Sequence, residues 1–174
     1  MEEKMSYPVE PEPDTDFVIT RVLEAPRDRV FHAFTRPALM KQWWRPRGFS
    51  VAGAKMDLRA GGSYHYALHA ADGFVMWGKY FYREIVEPQL LVYVNTFSNA
   101  SGGITRHPMN ANWPLEMLTT LTFAEHVDGT LLMLRWSLMP GATEDERIAF
   151  DQAHDTMELG WSTTFDQLAE FLKK

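Results

Sequence analysis

The sequence contains no cysteine, and this absence removes several kinds of chemistry at once. Without thiols the protein forms no disulfide, no thiolate nucleophile and no cysteine-ligated zinc site. Long apolar runs are missing as well. None approaches the roughly 20 residues of a membrane helix, and the candidate LLMLRWSLM is interrupted by Arg135. We therefore expect neither a disulfide-stapled scaffold nor a protein that binds or crosses a membrane.

Basic charge is scarce relative to acidic charge, with 17 Lys and Arg against 23 Asp and Glu and a net charge of -6. Most of the acidic excess lies in the first 16 residues, MEEKMSYPVEPEPDTD. The remaining chain is nearly neutral, which argues against nucleic acid or an anionic membrane as a partner. The N-terminus has no basic segment followed by an apolar one, so we expect no signal peptide and a cytoplasmic location.

Length and composition favour one folded domain behind a short tail. Hydrophobic residues make up 45% of the chain and aromatic residues 13%, enough for a sizeable core. Residues 1–16 are proline-rich, acidic and poor in apolar side chains, which predicts a flexible tail. Residues 17–174 show no internal repeat and no second linker, and we assign them to a single domain.

The hydrophobic pattern of this domain predicts a strand, two short helices and then a run of strands. DFVITRVLEA reads as the first strand, and APRDRVFHAFTRP and PALMKQWW as the helices. From Phe49 onward apolar residues alternate in six strand candidates, separated by turn signals such as Asp72-Gly73 and Asp128-Gly129. Short links of this kind indicate an antiparallel meander.

The C-terminal segment GATEDERIAFDQAHDTMELGWSTTFDQLAEFLKK predicts one long helix. Thr143 and Glu146 have the spacing of a capping box. A wide apolar stripe along one helix face must be buried, and the sheet is the only large partner. We therefore expect an α+β fold with a curved antiparallel sheet of about seven strands around this helix. The stripe comprises Phe150, Ala153, Met157, Trp161, Thr164, Leu168 and Phe171.

Strand parity places rings and polar groups together on the sheet face that the helix covers. The strand around Tyr80 and Tyr82 alternates less cleanly, and we place both inward, with a possible bulge. Two interpretations stay open. The polar groups hydrogen-bond one another or water, or they belong to an apolar ligand cavity. In the second case the candidate ligand-binding residues are Trp44, Tyr64, Tyr66, Tyr80, Tyr93, Asn95, Phe97, Met117, Thr119, Leu134, Trp136, Met157 and Trp161.

Histidines do not form a recognisable metal site. His65 and His69 lie roughly 13 Å apart if they are on one strand, too far to share an ion. His154 reads as a surface histidine on an acidic helix face. His107 lies in the loop GGITRHPMNANWP, which could cover a cavity mouth. We name no metal ligand.

Catalytic motifs are equally absent from the sequence. There is no nucleophile elbow, P-loop, dinucleotide fingerprint or zinc-protease motif. Glu84 and Glu116 lie near strand ends, but no second catalytic group is paired with either. We name no catalytic residue and no cofactor, and an enzymatic role is the least favoured.

Trp43 and Trp44 adjoin at the end of a predicted helix, before the turn Arg45-Pro46-Arg47. Neighbours on a helix point about 100° apart, so the two rings cannot share one environment. We expect one to anchor the short helices and the other to be partly exposed. The alternative makes one of them a wall of the cavity mouth.

Taken in order, these segments resemble a known family. VLEAPRDRVFHAFTRPALMKQWWRPRGFSV, DLRAGGSYHYAL and MELGWSTTFDQLAEFL resemble homologues of the activator of the heat-shock-protein-90 ATPase, in the START-like (SRPBCC, helix-grip) superfamily. The match runs from about Asp16 to the C-terminus. The resemblance implies a helix-grip fold with a deep cavity between sheet and helix, often suited to hydrophobic small molecules.

Three functions remain open at this point. The favoured one is binding of a hydrophobic or aromatic small molecule in the cavity. The second is a chaperone-associated or other interaction module that contacts a protein partner, or a second copy, through the tryptophans and the Arg45–Arg47 turn. The third is a cyclase- or hydrolase-like enzyme that uses Tyr66, Asn95 or Glu116.

Overall fold

The computed structural model describes residues 15–174. The predicted acidic tail therefore lies outside the described residues, apart from Thr15 and Asp16. Strands and helices follow the predicted order. They are β1 (Phe17–Leu23), α1 (Arg27–Thr35), α2 (Pro37–Trp43), β2 (Ser50–Met56), β3 (Ser63–His69), β4 (Val75–Val86), β5 (Leu90–Ser98), β6 (Ile104–Thr105), β7 (Met117–His126), β8 (Gly129–Leu138), α3 (Glu144–Gln152) and α4 (His154–Leu172).

The strands form one antiparallel sheet in the order β1-β8-β7-β5-β4-β3-β2, and the two-residue β6 pairs with β5. This confirms the predicted curved antiparallel sheet. Consecutive strands pair from β2 to β5 and again from β7 to β8, β5 pairs with β7, and β8 pairs with β1, so β1 and β2 form the two edges of the sheet. The sheet therefore offers one broad inner face to the terminal helices.

Register shifts in β4 and β2 help to bend the sheet. In β4 the pairing with β5 shifts between Tyr82 and Glu84, so Arg83 is an extra residue on that strand. Tyr80 and Tyr82 precede the bulge, where the strand still alternates regularly, so both face inward, and both are buried. The predicted inward placement of these two tyrosines is confirmed.

The C-terminal helix is present, but it is divided at Ala153. The Oγ1 atom of Thr143 accepts a hydrogen bond from the Glu146 N–H at 3.2 Å, as the capping-box spacing predicts. At Ala153 the backbone has φ -92° and ψ -2°, and its N–H donates to the Phe150 carbonyl three residues earlier. Neither glycine nor proline marks this point, so a hydrophobic pattern alone does not reveal the break.

The inner face of the sheet is packed at one end of its strands and open at the other. Rings of α1 meet the packed end, where the Phe31 and Phe34 centroids lie 5.3 and 5.7 Å from that of Phe123. The buried side chains there include Leu91, Leu121, Leu132 and Leu134. Toward the opposite strand ends, inward side chains instead border a cavity beneath α3 and the first turns of α4.

Within residues 15–174, no helix combines the length and the apolar character that a membrane span requires.

Candidate ligand cavity

A cavity of about 720 Å³ lies between the inner face of the sheet and the helices α3 and α4. Its floor comes from β3, β4, β5, β7 and β8, and its opposite wall from the helices. The turn Pro46–Gly48 and the loop of residues 107–114 form its rim. Elements far apart in the sequence therefore enclose one space.

Nearly all the candidate ligand-binding residues line this cavity. Strand parity assigned several of these side chains to the inner face of the sheet, and across the cavity they face the apolar stripe of the terminal helices. The lining residues are Trp44, Tyr66, Tyr80, Tyr93, Asn95, Phe97, Met117, Thr119, Trp136, Met157 and Trp161. Tyr64 and Leu134 do not line it.

Tyr64 and Leu134 belong to the packed end of the sheet, and both are fully buried. The Tyr64 ring lies behind those of Tyr66 and Tyr80, with centroids 5.1 and 5.3 Å away. Leu134 is one inward position before Trp136 on β8, on the core side of the boundary. Parity identifies the face on which a side chain lies, but not where along the strand the core gives way to the cavity.

Neutral phenols dominate one wall of the cavity. The rings of Tyr80 and Tyr93 are stacked with centroids 4.0 Å apart, and Tyr66 meets Tyr80 edge to face at 5.4 Å. Burial raises the pKa of Tyr93 to about 12 and raises the pKa values of Tyr66 and Tyr80 further. These groups therefore stay protonated near neutral pH and can donate hydrogen bonds without carrying charge.

Asn95 and Thr119 pair with each other across the floor. The Thr119 hydroxyl donates to the Asn95 side-chain oxygen at 2.6 Å. The Thr119 side chain is buried, so this bond satisfies a hydroxyl that burial would otherwise leave unpaired. The sequence left open whether the inward polar groups bond to one another or belong to a ligand cavity. For this pair both hold, since the two residues share a hydrogen bond and both line the cavity.

Gly78 is a cavity determinant that sequence reasoning did not identify. It lies opposite Tyr66 in the β3–β4 ladder, and the Tyr66 ring covers it. A Cβ atom at this position would overlap the ring and hydroxyl of Tyr66. The missing side chain therefore lets this tyrosine lie across β4 and shape the cavity wall.

The tryptophan pair is fully enclosed, which corrects the expectation that one ring is partly exposed. Trp43 is 2% exposed, and its Nε1 donates to the Ala33 carbonyl at 2.9 Å. Trp44 is 7% exposed and meets Tyr66 edge to face at 5.0 Å, as part of the cavity wall. Because α2 ends at Trp43 and Trp44 has extended backbone, the helical geometry assumed for the pair stops between them.

The predicted loop does border the cavity, and α3 borders it from the other side. His107 packs edge to face on Phe97 at 4.5 Å, and its Nδ1 accepts a hydrogen bond from the Met109 N–H at 3.0 Å. On α3, Ile148 and Gln152 also reach the cavity. The sequence did not predict these two lining residues, because Ile148 and Gln152 lie outside the apolar stripe of the C-terminal segment.

Glu146 connects the loop to α3, and it is the buried carboxylate that sequence reasoning treated only as a helix cap. One carboxylate oxygen accepts from the Leu115 N–H at 3.1 Å, and the other lies 3.2 Å from the Arg106 guanidinium. Burial raises the pKa of Glu146, but the hydrogen bonds from Leu115, Arg106 and Thr143 outweigh it, so the net pKa is lowered. The charged form thus holds the loop against the helix.

Replacing Glu146 with Gln should destabilise the protein by about 1–3 kcal/mol at neutral pH, since three donors lose a charged acceptor. A carboxylate with a lowered folded-state pKa stabilises above its ordinary value of 4.5, and this contribution disappears as the pH falls through the folded-state pKa. Urea unfolding should therefore show that the free energy of unfolding differs between the wild type and Glu146→Gln at pH 7, and that this difference is smaller at acid pH. Exposed Glu158, changed to Gln, is the control; a pH-independent loss would contradict this role.

His154 is more buried than the sequence suggested, and Glu116, although it directly precedes β7 as expected, does not reach the cavity. The His154 ring packs at 5.1 Å from Phe150 and 5.9 Å from Phe17, and within the described residues its buried Nε2 has no hydrogen-bond partner. The expected surface histidine is half-buried, because His154 begins α4 beside Phe17 of β1. Glu116 is half-buried and does not line the cavity. In the chain from residue 15 onward, no three His, Cys, Asp or Glu side chains are grouped to hold a metal ion.

Comparisons with known proteins point to one family. The family model described as Activator of Hsp90 ATPase homolog 1-like protein matches residues 24–173. No curated protein matches the chain.

Several solved structures share the architecture. A crystal structure from Chromobacterium violaceum is 26% identical, with a TM-score of 0.69, and the match covers 91% of this chain and 98% of that one. A solution structure from Staphylococcus epidermidis is 27% identical, with a TM-score of 0.72 and coverages of 94% and 92%. A Rhodobacter sphaeroides protein, 19% identical with a TM-score of 0.75 and coverages of 94% and 95%, shares the fold.

Proposed function

The chain belongs to the Activator of Hsp90 ATPase homolog 1-like protein family, and we propose that it binds one hydrophobic or aromatic small molecule between its sheet and its terminal helices. The observation that carries this proposal is the cavity of about 720 Å³. Ligand sites in proteins typically enclose about 300–1,000 Å³, whereas voids in close-packed cores rarely exceed a water molecule. A gap of this size is more than imperfect packing produces.

The cavity wall has the chemistry of an aromatic-ligand site. Trp136 and Trp161 meet edge to face at 5.4 Å on one side, and the stacked pair of Tyr80 and Tyr93 lies on another. Faces and edges of such rings add about 0.5–1.5 kcal/mol for each well-placed aromatic contact, beyond the apolar area that is buried. The hydroxyl groups and Asn95 supply the few directional contacts that orient a ligand.

The two alternative functions gain less support from the geometry. Trp43 and Trp44 are buried, so they offer a protein partner no aromatic surface unless the segment unfolds locally. Of the residues named for an enzyme, Tyr66 and Asn95 line the cavity and Glu116 does not, so the cavity lacks the carboxylate that this alternative offered as an acid or base. We therefore retain small-molecule binding as the function.

Binding of N-phenylnaphthylamine, a neutral aromatic dye that brightens in apolar surroundings, tests the proposal. We expect saturable enhancement with one dye per chain and a Kd of about 1–100 µM, which follows from the usual binding energy per ligand atom. Native mass spectrometry of the freshly purified protein provides an independent readout, a retained small molecule. Failure to saturate, together with a mass equal to that of the bare chain, would reject small-molecule binding.

A further inference from the structure

The cavity has a neutral interior and a cation at its rim. Among its lining residues that the structure describes, Arg47 is the only arginine or lysine. The Arg47 guanidinium forms no ion pair within residues 15–174, and its side chain is exposed to solvent. The phenols of the interior carry no charge near neutral pH. A charged ligand group would therefore find its counter-charge at the rim and not at depth.

The backbone holds Arg47 at this place at a conformational cost. Its φ is 52°, and in the described part of the chain no other non-glycine residue has a positive φ. Gly48 follows with φ 80°, so the turn between α2 and β2 needs two consecutive left-handed residues. A glycine at position 47 would adopt this conformation without strain. A strained arginine at a cavity rim is the kind of outlier from which a functional role is inferred.

Other titratable groups at the rim define where an anion can lie. His107 is near enough to Arg47 that the guanidinium, after burial, contributes to lowering the pKa of its imidazole. Asp145, in the first turn of α3, also lines the cavity, and within residues 15–174 no ion pair joins it to Arg47. An anion bound at the Arg47 and His107 side would gain a planar guanidinium donor, whereas the Asp145 carboxylate would repel an anion that approached it.

From this arrangement we infer that the ligand is an amphipathic organic anion. Its apolar ring system enters the cavity, and its carboxylate or sulfonate-type group stays at the rim against the Arg47 guanidinium. The inference rests on the proposed function and adds the ligand class. The reverse orientation is disfavoured, because an anion buried among the tyrosines would lose its hydration without gaining a cation.

Two dyes with the same ring skeleton separate the charge from the apolar body. N-phenylnaphthylamine is neutral, and anilinonaphthalene sulfonate carries one sulfonate. In Arg47→Gln we expect the affinity for the sulfonate dye to fall about three- to tenfold, because one partly hydrated charge pair is lost. The affinity for the neutral dye should change less than twofold. Arg47→Lys should retain most of the sulfonate affinity, and added salt should reduce the wild-type preference.

Arg36→Gln is the matched control, because it removes the same charge from an exposed arginine that does not line the cavity. It should leave both affinities unchanged. An equal loss for both dyes in Arg47→Gln, or no loss for either, would overturn the anionic ligand class while small-molecule binding stands. If neither dye binds the unmodified protein and native mass spectrometry finds no retained small molecule, the proposed function itself fails. Thermal unfolding of each variant confirms that the compared proteins are folded.

Discussion

Replacing Gly160 with Trp should weaken binding of N-phenylnaphthylamine about tenfold or more while the protein stays folded. Gly160 lies on α4 and lines the cavity, and a Cβ built there meets no atom within 4 Å. An indole at this position would extend across much of the roughly 10 Å that separates packed layers. It would occupy the space that the dye needs, without displacing side chains of the core.

Gly160→Ala is the matched control for this substitution. A methyl group takes little of the cavity, so the dye affinity should stay within about twofold. Glycine inside a helix is less favourable than alanine by about 0.5–1 kcal/mol, so Gly160→Ala should also stabilise the protein by that amount. The two variants are compared by dye titration and urea unfolding. Unchanged binding in Gly160→Trp would show that the dye binds elsewhere.

Phe165→Ala should destabilise the protein by about 3–5 kcal/mol, whereas Trp161→Ala should cost no more than about 2 kcal/mol. Phe165 is fully buried on α4, and the Arg21 guanidinium lies 6.0 Å from its ring centroid. Trp161, one turn earlier, is only half-buried and borders the cavity. Removing Phe165 therefore creates a void in packed surroundings, while removing Trp161 enlarges a space that already exists.

Urea unfolding followed by circular dichroism measures both losses on the same scale. The order of the two costs is the important result, because transfer energy alone would make the larger tryptophan the more costly loss. Equal losses of about 3–5 kcal/mol would mean that Trp161 is an ordinary core residue, and that α4 packs on the sheet along its whole length.

Most of the architecture follows from hydrophobic periodicity. Alternation from Phe49 onward predicts the meander, and a helical stripe predicts the terminal helix that covers it. Both signals are strong because a half-buried element has one face in the core and one in water, so apolar residues recur with the period of the strand or helix. The same parity places Tyr93 and Asn95 correctly on the inner face.

The features that sequence missed depend on contacts between distant segments. The boundary between core and cavity falls between Leu134 and Trp136 because α1 and α2 cover only one end of the strands. The Glu146 carboxylate accepts a hydrogen bond from the N–H of Leu115, 31 residues earlier in the chain, and no local pattern identifies that partner. The close approach of Tyr66 to Gly78 likewise depends on strand register, which a turn signal constrains but does not determine.

The cavity as a ligand site is tested most directly by a crystal structure of the protein with N-phenylnaphthylamine bound. Ligand binding in the cavity predicts that the naphthyl rings lie between α4 and the sheet, against Tyr80 and Trp136, with the backbone of the fold unchanged. Dye bound only on the outer face of the sheet, with side chains filling the space beneath Gly160, would contradict it.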